Sequence, residues 1–247
     1  MRRKYDVDEK GRRYHQLDDF MLALRNVTHC ERSYSCSITV PIDMTEALVL
    51  KEKMKEDKNK RVTITAMIAK AAAIALEDFP ILAGRWIDRI DRIYCPKKRE
   101  IELFCPVQVG DFAGSTFMEN VNMKSLIEIA EELNERVEKI KANVAVNAEA
   151  QIFPMKPFFA ISNVGTIGCV ESCNAQLTGD VVSELAVCSI IDKVVVKDNR
   201  VKIRKIMNCV LIWDHHAVLA NTPIEFMMKM KKYLEEPGSY LMQKEKK

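Results

Sequence analysis

MNCVLIWDHHAVLANTPIEFMMKMKKYL, residues 207–234, changes character in its middle. Met207 to Trp213 is an apolar run of strand length and predicts a deeply buried strand. Ile224 to Leu234 predicts a helix, with Pro223 in its first turn, where a missing N–H is tolerated. Between them stands Asp214-His215-His216, holding two of the four histidines in the chain. Neighbouring side chains of a strand point to opposite faces, so at most one of these imidazoles can face a given pocket. Taken alone, such a pair reads as one histidine satisfied in the core and one in water.

Upstream, Phe158 to Val164 predicts another apolar strand, ending at Gly165. Ser162 at its exit can present a hydroxyl at a sheet edge, although a turn-forming Ser-Asn pair explains the same spacing. Val181 to Ile191, Lys193 to Val196 and Val201 to Trp213 complete the C-terminal strands. Thr63 to Phe79 is the strongest helix signal; Ala, Ile and Met cover nearly its whole circumference, so it is buried on several sides, and Pro80 stops it. Ser125 to Ala142 carries apolar residues on one stripe, as a surface helix does. Arg32 to Ile42 predicts a strand and Met44 to Lys55 a helix, with Asp43 and Thr45 as caps. Shorter extended segments are Ile93 to Cys95, Glu100 to Phe104, Pro106 to Val109 and Phe112 to Phe117. Helices and strands interleave without a βα repeat and without a Pro/Gly/Ser-rich linker. The reading is one α/β domain, a mixed sheet with helices packed mainly on one face.

The bulk properties narrow the function. The 247 residues carry a formal net charge of +3, too little to argue for nucleic acid. The charged runs at Met1 to Lys4, Lys51 to Arg61 and Lys244 to Lys247 read as solvated surface. Eight cysteines are scattered, and Cys36, Cys105, Cys188 and Cys209 have apolar neighbours, as buried thiols of a reducing cytosol do. Cys169 and Cys173, with His29 and Cys30 elsewhere, do not make up a four-ligand metal site. The polar N-terminus is no signal peptide, and no apolar run is long enough to span a bilayer. There is no G-x-S-x-G, G-x-G-x-x-G or P-loop, which argues against a nucleophile elbow and against dinucleotide or ATP binding.

TITAMIAKAAAIALEDFPILAGRW, PVQVGDF with NVNMKSLIEIAEEL, FFAISNVGTIG and LIWDHHAVLANTPIEFMMKMKKYLEEP, in that order, resemble the catalytic domain of the dihydrolipoamide acyltransferases, the E2 components of 2-oxoacid dehydrogenases, which share the chloramphenicol acetyltransferase fold. TITAMIAKAAAIALEDFPILAGRW resembles a family helix, with Ala83 where the family usually has Asn. PVQVGDF followed by NVNMKSLIEIAEEL is similar to a family strand and helix. FFAISNVGTIG resembles TISNLGxxG, and LIWDHHAVLANTPIEFMMKMKKYLEEP runs without a gap along LSYDHRVxDGAxxARFLxxLxxLLEDP. The resemblance spans residues 29–237, leaving 1–28 as an N-terminal arm and 238–247 as a charged tail.

The resemblance implies a chloramphenicol acetyltransferase-like two-layer fold and acyl transfer between coenzyme A and a thiol, hydroxyl or amine acceptor. His215 then is the general base that deprotonates the thiol, and Ser162 donates a hydrogen bond to the tetrahedral oxyanion. It further implies a cytoplasmic homotrimer whose sites combine the two residues across subunit interfaces, with acyl-CoA and a small acceptor as ligands, no metal, and neither nucleic acid nor membrane as partner. The family's H-x-x-x-D-G is broken: Leu219 and Ala220 follow His215 at the Asp and Gly positions. An alternative frame on His216 matches the HHAV of chloramphenicol acetyltransferase but requires a one-residue deletion and also lacks the Asp. A catalytically inactive trimeric scaffold is therefore the alternative to an enzyme. The lipoyl and peripheral-subunit-binding domains of E2 subunits are expected to be absent from this chain, which leaves a stand-alone acyltransferase open.

Overall fold

In the computed structural model the described residues are 5–7, 13–15, 35–56, 61–86, 93–109, 112–142, 156–177 and 179–242. Two short strands, β1 (Tyr5–Val7) and β2 (Arg13–His15), pair antiparallel near the N-terminus. The main sheet holds β3 (Ser35–Asp43), β6 (Leu103–Val109), β7 (Phe112–Met118), β8 (Phe159–Asn163), β9 (Ser183–Lys197) and β10 (Arg200–Asp214). Their order is β3-β10-β9-β8-β6-β7, with β8 parallel to both neighbours and every other pair antiparallel. β4 (Arg85–Trp86) and β5 (Ile93–Tyr94) form a separate small ladder.

Four longer helices, α1 (Thr45–Glu56), α2 (Ile64–Leu76), α3 (Leu126–Lys141) and α4 (Asn221–Glu235), are followed by the single turn α5 (Pro237–Tyr240). α2 is the centre of the core. Ten of its thirteen residues are buried, as its all-round apolar sequence predicts. Thr63 caps it, the hydroxyl accepting the Ala66 N–H at 3.1 Å. It ends at Leu76, short of the expected Phe79, because the residue before Pro80 is driven out of the helical region (Phe79 φ −128°, ψ 52°). α3 begins with a reciprocal capping box between Ser125 and Glu128.

The helices cover one face of the sheet, where Ile161, Leu185, Val187, Cys209, Leu211 and Trp213 join their buried side chains in the main core. On the opposite face Ala186, Cys188, Val210 and Ile212 are covered by loop residues Val170, Cys173, Ala175 and Leu177, and Phe104, Phe158, Ala160 and Val181 form a neighbouring cluster. This is the two-layer α/β arrangement the sequence predicts.

Two pairs of expected segments fuse. Val181 to Ile191 and Lys193 to Val196 are one strand, β9, turned into β10 by Asp198 and Asn199, both at φ 55°. Glu100 to Phe104 and Pro106 to Val109 merge in β6. Its β8 ladder stops at Phe104, so Pro106 leaves no bond unmade on that side. The segment 32–34, the pair His29 and Cys30, and the boundary at 28/29 lie outside the described residues. Leu241, within the expected charged tail, is buried in the core. Among the described residues no helix is long and apolar enough to cross a membrane.

Candidate active site

Ser162 lies in register with Ala186 of β9, and Ala186 pairs in turn with Val210 of β10. Ile161 points into the helix-side core, so Ser162 points to the other face, where it is half-buried. Asn163 turns back to the helix side. Its Nδ2 donates to Thr65 Oγ1 at 3.0 Å, and its Oδ1 accepts the Gly165 N–H at 3.1 Å. The N–H groups of Val164 and Gly165 both donate to the Val187 carbonyl. A Cβ on Gly165 would sit 2.2 Å from the Cys188 carbonyl oxygen, so the exit of β8 requires glycine for close approach. Ser189 fastens the following loop. Its hydroxyl accepts the Val170 N–H at 2.9 Å and donates toward the carbonyls of Gly165 and Gly168.

A cavity of about 1120 Å³ opens on the helix side of this exit. Thr65, Asn163, Gly165 and Ser189 contribute to its wall, and Lys51, Lys55 and Arg61 supply cations to its lining. Sequence reading missed these three, treating the Lys51 to Arg61 run as plain surface. The spacing of Lys51 and Lys55, i to i+4 on one helix face, was the available signal.

The histidines sit just past the end of β10. β10 stops at Asp214, and His215, His216 and Ala217 form a turn. Both imidazoles are exposed in the single chain, so the expectation of one core histidine fails: the turn begins one residue too early for either ring to enter the sheet. His215 lies against Trp213, ring centroids 6.4 Å apart and tilted by 31°. Asp214 organises the turn. Its N–H donates to the Val182 carbonyl at 2.8 Å, its own carbonyl accepts from Ala217 and Val218, and its Oδ1 accepts the His216 N–H at 2.8 Å. Leu219 is 68% exposed and Ala220 is exposed as well, so the motif's Asp position anchors nothing.

Within one chain the structure does not bring Ser162 and His215 together. His215 is five residues beyond Val210 and two strands across from Ser162. At 3.3 Å per residue and 4.8 Å per strand that is a separation of roughly 19 Å. Among the described residues no cluster of three or more His, Cys, Asp or Glu could hold a metal.

Residues 23–242 match the family described as 2-oxoacid dehydrogenases acyltransferase (catalytic domain). The dihydrolipoyllysine-residue acetyltransferase component of the pyruvate dehydrogenase complex of Rickettsia felis is 26% identical over 218 residues, 88% of this chain and 50% of that protein. The chain thus spans about half the length of that curated relative. Among solved structures, a probable dihydrolipoamide acetyltransferase from Listeria monocytogenes superposes with a TM-score of 0.78 at 22% identity, covering 96% of this chain and 98% of that one. A dihydrolipoamide acetyltransferase of Azotobacter vinelandii, in which the catalytic role of a serine, a histidine and an asparagine was investigated, gives 0.75 at 20% identity over 90% and 88%. A chloramphenicol acetyltransferase gives 0.57 at 12% identity over 94% and 100%.

Proposed function

Because the chain belongs to the family of 2-oxoacid dehydrogenase acyltransferase catalytic domains, we propose that it transfers an acyl group between coenzyme A and the thiol of a dihydrolipoyl group, at sites completed by a second copy of the chain. The observation that carries this reading is the cavity at the exit of β8, with Lys51, Lys55 and Arg61 in its lining and Asn163 and Gly165 in its wall. Three cations suit the phosphates of coenzyme A. The cavity reaches Asn163 and Gly165, which follow Ser162 in the chain, while the Ser162 hydroxyl lies on the other face of β8, so the acyl end must pass the exit of β8 to meet it.

His215 takes the proton from the attacking thiol. An imidazole within hydrogen-bond reach of the thiol can take its proton as the new carbon–sulfur bond forms. The thiolate then adds to the thioester carbonyl, and the Ser162 hydroxyl donates to the oxyanion that forms. Collapse breaks the original C–S bond, and the imidazolium returns the proton to the departing thiolate. The 19 Å gap within one chain supports assembly from two copies, and a homotrimer satisfies it by closed symmetry. In the Azotobacter vinelandii protein the investigated histidine follows the serine by fifty-two positions. Here His215 follows Ser162 by fifty-three and His216 by fifty-four, which favours His215 as the base. The asparagine there lies four positions after the histidine, a place taken here by Leu219.

The exposed Leu219 in that place favours one second reading, a trimeric scaffold without turnover. Transfer from acetyl-, propionyl- and isobutyryl-CoA to free dihydrolipoamide decides between them, followed by chromatography of the acyl-dihydrolipoamide. The expected result is turnover lost in His215→Ala and reduced about 10² to 10³-fold in Ser162→Ala. Loss confined to His216→Ala moves the base to that residue. Wild-type turnover no faster than the buffer reaction with every acyl-CoA overturns the catalytic reading in favour of the scaffold.

A further inference from the structure

The family's aspartate after the histidine is absent, yet the histidine turn is tied down from the other side. Trp86 Nε1 donates to Asp214 Oδ2 at 3.1 Å, while Asp214 Oδ1 accepts the His216 N–H. One carboxylate therefore joins a rigid indole to the backbone of the turn, and each of its oxygens has a defined partner. The indole is fixed in its turn. The Trp86 N–H donates to the Asp180 carbonyl at 2.8 Å, β4 pairs with β5 through Trp86 and Ile93, and Arg85 lies 3.6 Å from Asp180 Oδ2. The Val182 N–H donates to Gly84, and the Asp214 N–H donates to the Val182 carbonyl. β4 and the last residue of β10 are thus held to the same short segment, residues 180–182.

We propose that Trp86 is a positioning residue for acyl transfer: through Asp214 it fixes the turn that aims the imidazole of His215. This rests on the reading of His215 as the base. The physical argument is one of constraint. His215 is exposed, sits in a three-residue turn and is followed by Leu219 and Ala220, neither of which can pin the loop by a side-chain ion pair. A base must be held within hydrogen-bond reach of the proton it removes, and small misplacement of a catalytic group costs rate heavily. A carboxylate fastened at both oxygens removes the rotation that would let the turn swing.

Trp86→Phe removes the N–H and keeps an aromatic ring, and Asp214→Asn removes the charge while keeping the shape. In the acyl-CoA to dihydrolipoamide assay, Trp86→Phe is expected to lower kcat roughly 5- to 30-fold with KM unchanged. Asp214→Asn lowers kcat by a similar factor, since an amide can accept only one of the two N–H bonds that the carboxylate accepts. The double variant is no slower than the slower single variant, because the two groups act as one unit. In parallel, the Trp86 indole N–H resonance is followed by NMR in Asp214→Asn, and the His216 amide resonance in Trp86→Phe. Both are expected to shift. The proposal is overturned if both resonances stay in place, if Trp86→Phe keeps wild-type kcat, or if the two losses multiply. A chain without any turnover defeats the acyl-transfer reading instead, and the two resonances still decide whether Trp86 and Asp214 hold the turn.

Discussion

Ser162 and His215 stand apart on the same sheet: Ser162 is level with Val210 two strands away, and His215 lies past the end at which Trp213 pairs with Ser183. A gap of roughly 19 Å is beyond the combined reach of a serine and a histidine side chain. A site made from both must take one from each of two copies. Mixing Ser162→Ala and His215→Ala chains after denaturation and refolding therefore recovers activity that neither has alone. With random assembly about a quarter of the interfaces pair an intact serine with an intact histidine, so about a quarter of wild-type turnover returns. Recovery no greater than the sum of the separate variants means that the two residues do not share a site.

The seven described cysteines differ in a way that alkylation can read. Cys169 is exposed, Cys36, Cys95 and Cys173 are half-buried, and Cys105, Cys188 and Cys209 are buried. Burial pushes the Cys105 thiol up to about 12 and raises Cys188 and Cys209 as well. Since the thiolate is the reacting species, the raised pKa and the burial both slow the reaction of these three. Peptide mapping after brief iodoacetamide treatment is expected to find Cys169 modified first. Cys105, Cys188 and Cys209 are modified only after denaturant is added, and early labelling of Cys105 would contradict this packing.

Much of the architecture is legible in side-chain period. The all-round apolar α2, the one-sided α3 and the apolar β10 follow from residue spacing alone. The two-residue strand β4 does not, because Arg85 and Trp86 have no period and become a strand only by pairing with Tyr94 and Ile93. β9 reads in sequence as two segments parted at Asp192; in the fold Asp192 pairs with Lys205 across the hairpin and is exposed there. At the site, the Ser162 strand and the His215–His216 pair stand out as residue types. Their separation depends on strand register, and the anchoring of Asp214 by Trp86 on a contact 128 positions apart, neither of which a local pattern encodes.

Gly165→Ala tests the close approach that sets the exit of β8. The added methyl would meet the Cys188 carbonyl oxygen at 2.2 Å and the Ser189 nitrogen at 2.8 Å, both backbone atoms on the neighbouring strand. Relief requires β8 and β9 to part where Val164 and Gly165 donate to Val187. The expected cost is about 2 kcal/mol or more. In a domain of this size that corresponds to a fall in Tm of roughly 5 °C, read by thermal denaturation. A Tm within a degree of wild type would mean that the exit of β8 is not constrained in this way.

Asp43 gives the fold an acid limb that can be located in advance. Burial alone would raise its carboxyl, but hydrogen bonds from Thr45 and Arg204 outweigh it and bring the pKa down to about 2 from 3.8. Thr45 Oγ1 donates to Oδ1 at 2.6 Å, and Arg204 Nε donates to Oδ2 at 2.7 Å. The Asp43 and Arg204 side chains are 12% and 18% exposed, so solvent screens the pair only partly. A carboxyl titrating lower in the folded than in the unfolded chain adds stability above its unfolded pKa and loses it as pH falls through the folded value. Here the contribution is complete above pH 4 and disappears between pH 4 and pH 2. At 1.36 kcal/mol per unit it amounts to about 2 kcal/mol. Urea unfolding of wild type and Asp43→Asn should therefore differ by about that amount at pH 7, with the difference closing between pH 4 and pH 2. A difference that stays constant down to pH 2 would assign the cost of the substitution to lost packing rather than to the charge that Arg204 holds in place.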